Sequence, residues 1–205
     1  MMSHPWYERR FIWLFFLILA LQLFGMVLIP FSGTSEPRYA EIARMMAESG
    51  DWITPWFEPG VPFWGKPPLS FWVQALSIRL FGLDEWAVRF PSLLAFLAIL
   101  AVIHTVARRY AGLRAAFWAV IVYASCALPY IAGIAVLTDP FLALGTTLCM
   151  AGFVLGQWYW RALGFVGLAI GLLAKGPLAG VLVVGSIATG WLICRQCQWS
   201  RISGK

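Results

Sequence analysis

The segment FIWLFFLILALQLFGMVLIP, residues 11–30, decides the fold because it holds twenty residues without a charge. At about 1.5 Å per residue, a helix of this length is about 30 Å long, which matches the hydrocarbon core of a bilayer. A secretory signal peptide is the competing interpretation, but the apolar run is longer than usual for such peptides and no small-residue cleavage site follows it. The sequence therefore predicts an uncleaved first span.

The rest of the chain has the composition of an integral membrane protein. Of its 205 residues, 61% are hydrophobic and 12% are charged, whereas a soluble domain has about 25% charged residues. The last two uncharged runs are short and flank Gly176-Pro177, so they form either a bent re-entrant pair or two thin helices. We expect an all-α membrane protein with about six transmembrane helices, the later ones over 90–107, 115–137, 140–160, 162–174 and 178–194.

The distribution of charge along the chain predicts its orientation. With the N-terminus in the cytoplasm, the inner side carries nine basic residues and one acidic residue, and the outer side carries six basic and eight acidic residues. The positive-inside rule favours this arrangement. The net charge of +6 is therefore a topological signal and indicates no nucleic-acid partner. Residues 31–89 form an outer loop, and residues 90–194 hold the further spans.

The outer loop is predicted to contain two helices. Thr34 or Ser35 is placed to cap the first, and Gly50 ends it. Its two faces differ, since Tyr39, Ile42, Met46 and Ser49 share one side and Glu41, Arg44 and Glu48 share another. An amphipathic helix of this kind is expected to lie on the membrane surface. The second helix begins at Pro67-Pro68 and ends at Gly82.

Two cations stand near the starts of these helices. Arg38 lies in the first turn of one helix, and Lys66 directly precedes the other. A helix N-terminus with a cation at the water–lipid boundary suits the phosphate of a lipid carrier, and a nearby carboxylate can act as a general base. The alternative is that Arg38 and Lys66 pair only with Glu41 or with lipid headgroups.

Two further charged residues border the apolar runs on the same side. Asp139 lies close to the hydrocarbon, where a carboxylate is costly and indicates function. The alternative is that Asp139 caps the helix that starts at Pro140. Lys175 is either a phosphate contact or a lysine that extends its side chain to the interface.

The histidines and cysteines predict no metal site. His4 and His104 have no partners at ligand spacing, and we expect them to be packing or interfacial residues. A single C-x-x-C, Cys194 to Cys197, implies neither a disulfide framework nor a closed zinc site. Cys126 and Cys149 lie in apolar runs, so all four cysteines are interpreted as structural.

Six motifs occur in a recognisable order along the chain. They are SEPRYAEIAR (35–44), SGDW (49–52), GKPPLSFW (65–72), AVRFPS (87–92), LTDP (137–140) and LLAKGP (172–177). With them the chain resembles bacterial polyprenyl-phosphate-sugar glycosyltransferases, in particular the aminoarabinose lipid A transferase branch, which is related to the protein O-mannosyltransferases. The resemblance implies a GT-C-like fold with membrane-parallel helices in the first periplasmic loop.

The resemblance also implies an activity. It is the inverting transfer of a sugar from an undecaprenyl or other polyprenyl phosphate to lipid A, another glycan or a protein, at the periplasmic face of the bacterial inner membrane. Arg38 and Tyr39 match positions associated with the donor phosphate and the active-site cavity, and Lys66 matches a phosphate-binding lysine. Lys175 is a further candidate for substrate binding.

The chain departs from the family pattern at two acidic positions. The family's loop begins with Asp-Glu, whose Asp is regarded as essential, and here the pair reads Ser35-Glu36. We therefore expect Glu36 to take the base role, together with Asp139. The family's Glu-Lys-Pro reads Gly65-Lys66-Pro67, so the carboxylate available to a metal is absent. No cofactor is required, no residue is predicted as a metal ligand, and a divalent metal stays an open alternative.

Length is a further departure, since members of the family are typically more than twice as long. Residues 1–205 are therefore expected to be the N-terminal part of one polytopic domain, with a second chain as one possible source of the remaining helices. The main alternative is a non-catalytic or degenerate membrane subunit that binds a polyprenyl-phosphate lipid. A small transporter is disfavoured because the long runs contain almost no buried charge.

Overall fold

Helices form most of the chain in the computed structural model, which describes residues 5–203, with side chains over 9–193. A two-stranded antiparallel hairpin interrupts them in the outer loop. In chain order the elements are α1 (Pro5–Leu28), α2 (Ser35–Ser49), β1 (Trp56–Glu58), β2 (Val61–Pro62), α3 (Leu69–Phe81), α4 (Glu85–Ser125), α5 (Ala127–Ala132), α6 (Asp139–Leu155), α7 (Trp158–Lys175) and α8 (Leu178–Ser203).

Two of these helices are long and apolar enough to cross a membrane, namely Arg9–Leu28 within α1 and Glu85–Ser125. They pack on each other through Met26 of α1 and Leu93, Phe96 and Leu100 of α4. Shorter apolar stretches cover α3, α6 and most of α8. The predicted mostly helical architecture is therefore present, with two candidate membrane spans among the described residues.

Helix α4 is a hairpin of two helices. Gly112, at its middle, has a φ of 84° and a ψ of 174°, which is outside the helical region. The rings of Phe96 and Tyr123 lie 6.1 Å apart, and those of His104 and Phe117 lie 5.7 Å apart. In a straight helix Phe96 and Tyr123 would be about 40 Å apart. Residues 85–111 and 113–125 therefore run side by side, and His104 is a packing residue as predicted.

The expectation of one continuous span over 115–137 is wrong. The helix ends at Ser125, and Cys126 is extended, with a φ of −66° and a ψ of 132°. Pro129 explains the break, because a proline ring collides with the carbonyl group four residues earlier, here that of Ser125. The short helix α5 and a non-helical loop, residues 133–138, follow before α6 begins.

Helices α6 and α7 form an antiparallel hairpin with direct backbone contact. A β-carbon placed on Gly145 would lie 2.5 Å from the carbonyl oxygen of Gly167 and from the amide nitrogen of Gly171. Gly156, in the left-handed conformation, ends α6. The boundary predicted near residue 161 therefore falls several residues earlier. At the other end, α7 and α8 are two separate helices that meet at Gly176-Pro177.

The outer loop folds as a layer of its own, in which the predicted helix bounds are confirmed at both Gly50 and Gly82. Tyr39, Ile42 and Met46 of α2 are buried against a cluster that includes Phe71 and Ala75 of α3. This apolar face is covered by α3, whereas the sequence led us to expect contact with the membrane surface. Ser49, also assigned to it, is exposed.

The opposite face of α2 carries exposed charges. Arg44 binds Glu41 at 2.6 Å and Glu48 at 2.5 Å. The hydrogen bond from Arg44 lowers the pKa of Glu41, and the bonds to both carboxylates raise the pKa of Arg44. Ion pairs at these spacings are worth only about 0.3–0.5 kcal/mol each on a helix surface.

Asp51 organises the turn that leaves α2. Its carboxylate accepts hydrogen bonds from the amides of Ile53 and Thr54 at 3.0 Å and from the indole of Trp56 at 2.9 Å. Hydrogen bonds from Thr54, Trp56 and Ile53 lower the pKa of Asp51. A carboxyl whose pKa is lower when folded stabilises the fold above its unfolded pKa, about 3.9, and that contribution disappears as the pH falls through the folded value.

We therefore expect the 51–56 turn to loosen below about pH 4, the ordinary range of an aspartate. Amide exchange at Ile53 and Thr54, corrected for the intrinsic pH dependence of exchange, measures the effect. Asp51→Asn should show raised exchange already at pH 7. Asp84→Asn, in the same loop, is the matched control, and equal exchange in the two variants would contradict the role given to Asp51.

Candidate active site

An ion pair joins the two ends of the α6–α7 hairpin. Asp139 is the first residue of α6 and Lys175 the last residue of α7, and Lys175 Nζ lies 2.6 Å from Asp139 Oδ1. The Asp139 side chain is 54% exposed and that of Lys175 is 19% exposed. The alternative that Asp139 caps α6 is wrong, because the carboxylate makes no capping hydrogen bond and binds Lys175.

Lys66 lies in a loop that contacts the end of α7. The loop before α3 contacts the turn after α7, since a β-carbon on Gly176 would be 3.9 Å from Cγ of Pro67. Lys66 and Lys175 are the chain neighbours of these two residues. Lys66 is half-buried and makes no ion pair or hydrogen bond within residues 9–193, the part described with side chains. Two lysines and one carboxylate on these adjoining segments give this corner a net positive charge that favours an anion.

Arg38 and Tyr39 follow the start of α2 but have different surroundings. Arg38 is exposed, with its guanidinium 5.7 Å from the centre of the Phe57 ring. Tyr39 is buried, and its ring contacts those of Phe63 and Phe71 at centroid distances of 6.2 and 5.7 Å. The cation faces solvent and the phenol ring belongs to the core of the loop layer.

Glu36 lies inside the protein, where it is 4% exposed. Its Oε1 accepts a hydrogen bond of 2.8 Å from Arg89 Nε and one of 3.1 Å from the amide of Val136. Its Oε2 accepts a bond of 2.9 Å from the amide of Ser32. The structure therefore joins Asp139 to Lys175, places the loop that carries Lys66 against the turn after α7, and buries Glu36.

Arg89 is the functional candidate that the sequence analysis missed. It is 2% exposed, and its Nη1 donates to the carbonyl groups of Met26 and Ile29 at the end of α1. Its guanidinium also stacks on the Phe31 ring, 4.9 Å from the centroid. The sequence signal was the position of Arg89, directly before the uncharged run that starts at residue 90. An arginine at the edge of an apolar helix is placed to be buried, and a buried arginine needs an acidic partner.

The residues present do not fit a metal ion. Within the residues that the structure describes, no group of three His, Cys, Asp or Glu side chains is arranged to hold one. A β-carbon on Gly65 would lie 2.8 Å from the Phe63 ring, so that ring fills the space of a longer side chain. Cys149 is buried and Cys126 is exposed, both as free thiols. His4 and the side chains of Cys194 and Cys197 lie outside the described residues.

Two apolar cavities border α6, and the first of them reaches Asp139. One, of about 500 Å³, lies between α4, α5, α6 and α8, and its lining includes Asp139, Tyr123 and Leu142. The other, of about 400 Å³, lies between α3, α4, α6 and α7, and its lining includes Leu69 and Phe141. Asp139 thus stands at the edge of apolar space, a suitable place for the head of a lipid.

The model of the dolichyl-phosphate-mannose-protein mannosyltransferase (PMT) family matches residues 31–203, which contain the loop layer and the α6–α7 hairpin. The chain belongs to this family. The family resemblance read from the six motifs is therefore confirmed.

Relatives in sequence carry a more specific name. An undecaprenyl phosphate-alpha-4-amino-4-deoxy-L-arabinose arabinosyl transferase of Edwardsiella ictaluri is 36% identical over 176 residues, which are 82% of this chain and 31% of the relative. A transferase of the same name from Sodalis glossinidius is 34% identical over 180 residues, again 82% of this chain, and 32% of the relative. The chain thus spans about a third of the length of the curated relatives it matches.

Two solved structures of one protein share the fold. The crystal structure of ArnT from Cupriavidus metallidurans bound to undecaprenyl phosphate superposes with a TM-score of 0.79 at 27% identity, covering 94% of this chain and 38% of that one. The apo structure of the same protein gives a TM-score of 0.75 at 28% identity, covering 95% and 39%.

Proposed function

We propose that these residues build the donor site of a glycosyltransferase that uses a polyprenyl-phosphate sugar. The observation that carries the proposal is the Asp139–Lys175 pair at the edge of an apolar cavity, with the loop that carries Lys66 against the turn after α7. Further support is the similarity to ArnT bound to undecaprenyl phosphate. The donor is thus an undecaprenyl-phosphate sugar, and the acceptor is lipid A or another envelope glycan, lipid or protein.

The proposed chemistry uses a different group for each task. Lys66 and Lys175 bind the donor phosphate, Arg38 approaches it from the exposed side of α2, and Tyr39 supports the loop through Phe63. The acceptor oxygen attacks the anomeric carbon, its proton passes to Asp139 Oδ2, and the bond between sugar and phosphate breaks. The lipid phosphate then leaves with the added negative charge, which the lysines stabilise. Attack opposite the leaving group inverts the anomeric centre.

The proposal includes a membrane topology. About six spans, with a cytoplasmic N-terminus in the bacterial inner membrane, put Asp139, Lys66 and Lys175 on the periplasmic side. The start of α6 and the end of α7, which carry Asp139 and Lys175, then lie on the same side as the α2–α3 layer. The helices of this layer run parallel to the membrane plane. The charge distribution supports this orientation.

Binding of undecaprenyl phosphate tests the donor site. We expect Lys66→Ala and Lys175→Ala each to weaken binding by about tenfold, the effect of losing one hydrogen bond to a charged group. The measurement is a titration of the full-length gene product in nanodiscs with undecaprenyl phosphate, with undecaprenol as the uncharged comparison. Arg108→Ala, on the predicted cytoplasmic side, is the control. Equal affinity for phosphate and alcohol would contradict the proposal.

A second candidate is a non-catalytic subunit that binds the same lipid. It is favoured by Ser35, which stands where the resemblance places the essential aspartate. The two candidates differ in one result, because the subunit binds undecaprenyl phosphate and transfers no sugar from the loaded carrier.

A further inference from the structure

The Glu36–Arg89 pair connects four segments that are far apart in the sequence. Glu36 is in the first turn of α2, and Arg89 is in the first turns of α4. Arg89 binds the carbonyl groups of Met26 and Ile29 near the end of α1. Glu36 binds the amide of Val136 in the loop before α6. A single buried pair thus fixes the ends of α1, α2 and α4 against this loop.

The carboxylate of Glu36 has no surface access through which to act on a substrate. Both of its oxygens accept protein hydrogen bonds, three in all, from Arg89, Val136 and Ser32. The guanidinium of Arg89 also approaches the carboxylate of Glu85 at 3.7 Å. A general base must reach the proton that it removes, and the buried position of Glu36 does not allow that.

The loop held by Glu36 leads directly to Asp139. Val136 is fully buried and Thr138 is 1% exposed, so two of the three residues between the hydrogen-bonded amide and the start of α6 are enclosed by protein, and Leu137 between them is half-buried. Asp139 is the third residue after Val136, and its carboxylate binds Lys175 at 2.6 Å. The position of the Val136 amide therefore sets where the Asp139 backbone begins.

The stability of the fold does not by itself explain why a buried ion pair stands at this place. Removing two charges from water costs several kcal/mol per ion, and apolar replacements of similar size are often neutral or stabilising. A buried pair is, however, directional, since its hydrogen bonds form only in one arrangement of the segments. Catalysis is sensitive to displacements of about 1 Å, so a fixed arrangement here has a chemical use.

We propose that Glu36 and Arg89 are positioning residues, a buried ion pair that holds the 133–138 loop and thereby sets the place of Asp139 relative to Lys175. This inference rests on the proposed function, and it assigns Glu36 a task different from the base role that the sequence led us to expect. The residue works through Val136 and touches neither donor nor acceptor.

Two conservative variants separate positioning from general base catalysis. In Glu36→Gln the amide oxygen can still accept from Arg89 and Val136, while the NH₂ group faces the Ser32 amide and loses that bond. In Glu36→Asp the carboxylate is kept, but it is one methylene shorter and withdraws from Val136. A base tolerates Asp better than Gln, whereas a positioning residue tolerates Gln better than Asp. Glu48→Gln, on the exposed face of the same helix, is the matched control.

Hydrogen exchange of the full-length protein in nanodiscs tests the structural step without any assay of activity. We expect Glu36→Asp to raise exchange at residues 136–138 by about tenfold, as for the loss of one hydrogen bond to a charged group. Glu36→Gln should raise exchange at Ser32 instead, and Glu48→Gln should change neither. If Glu36→Asp raises exchange throughout α6 and α7, that variant is globally unfolded. The exchange rate of the Ser32 amide in Glu36→Gln then decides whether Glu36 holds these segments. Unchanged exchange at both places overturns the proposal.

Sugar transfer from loaded undecaprenyl phosphate tests the functional step. Glu36→Gln should retain kcat within a few-fold, and Glu36→Asp should lose about tenfold in kcat with little change in KM for the donor. The opposite order, with Gln inactive and Asp active, would overturn the proposal in favour of the base role. If the wild-type protein neither binds undecaprenyl phosphate nor transfers sugar, the proposed function fails, and the exchange data still decide whether Glu36 holds the loop.

Discussion

Asp139→Asn is expected to lower the rate of sugar transfer by about 10²–10⁴-fold, the usual contribution of a positioned general base. The carboxylate is half exposed and uses Oδ1 for Lys175, whereas Oδ2 accepts no hydrogen bond from the residues described with side chains. An amide of the same shape cannot accept the acceptor's proton. Steady-state transfer by the full-length protein, with undecaprenyl-phosphate sugar as donor, measures the effect.

The same variant, Asp139→Asn, should not weaken donor binding. Removing the negative charge beside Lys175 makes the corner more positive, so undecaprenyl phosphate should bind as well as before or more tightly. Asp84→Asn, an exposed aspartate elsewhere in the outer loop, should change neither quantity. Transfer at the wild-type rate by Asp139→Asn would remove this residue from the mechanism.

Gly145→Ala should strongly destabilise the protein, even though it adds only one methyl group. The new carbon would lie 2.5 Å from two backbone atoms of α7, and backbone atoms cannot rotate away as a flexible side chain can. Overpacking of an ordinary core costs about 1–3 kcal/mol, and we expect at least the upper end here. For a chain of this size that corresponds to a fall of about 6–12 °C in Tm.

Gly185→Ala provides the matched control for this prediction. Gly185 is also a helical glycine, but a β-carbon there meets nothing within 4 Å. Because alanine favours a helix over glycine by about 1 kcal/mol, its Tm should stay constant or rise. Thermal unfolding in detergent, followed by near-ultraviolet absorption of the tryptophans, compares the two. An equal Tm for both variants would show that the α6–α7 contact is looser than described.

Local signals made most of the helices predictable. The apolar runs, the glycines at positions 50 and 82 and the Gly176-Pro177 turn all act through nearby backbone, and the structure agrees with them. The break at Ser125 was missed because hydrophobicity is continuous across it. Pro129 carried the necessary information, but the unbroken apolar character of residues 115–137 masked it.

The site was predictable as a set of charged residues, though not as a set of contacts. Sequence placed Asp139, Lys175 and Lys66 on one side of the membrane, and in the structure Asp139 binds Lys175 while the loop that carries Lys66 contacts the turn after α7. Their pairing depends on how α6 and α7 align, which follows from long-range packing of glycines. The burial of Glu36 depends on Arg89 and Val136, 53 and 100 residues away, and no local pattern reports such contacts.

The backbone contact between α6 and α7 also determines the speed at which the charged corner can rearrange. Helices whose main chains touch cannot slide or turn past one another without collision, so Asp139 and Lys175 are carried by one rigid body. Their ion pair then opens by rotation of the Asp139 side chain, which is 54% exposed, on the scale of picoseconds to nanoseconds that exposed side chains show. Typical enzymes turn over about 1–10³ times per second. We therefore expect the carboxylate to exchange between Lys175 and the acceptor many times within each catalytic cycle, without limiting its rate.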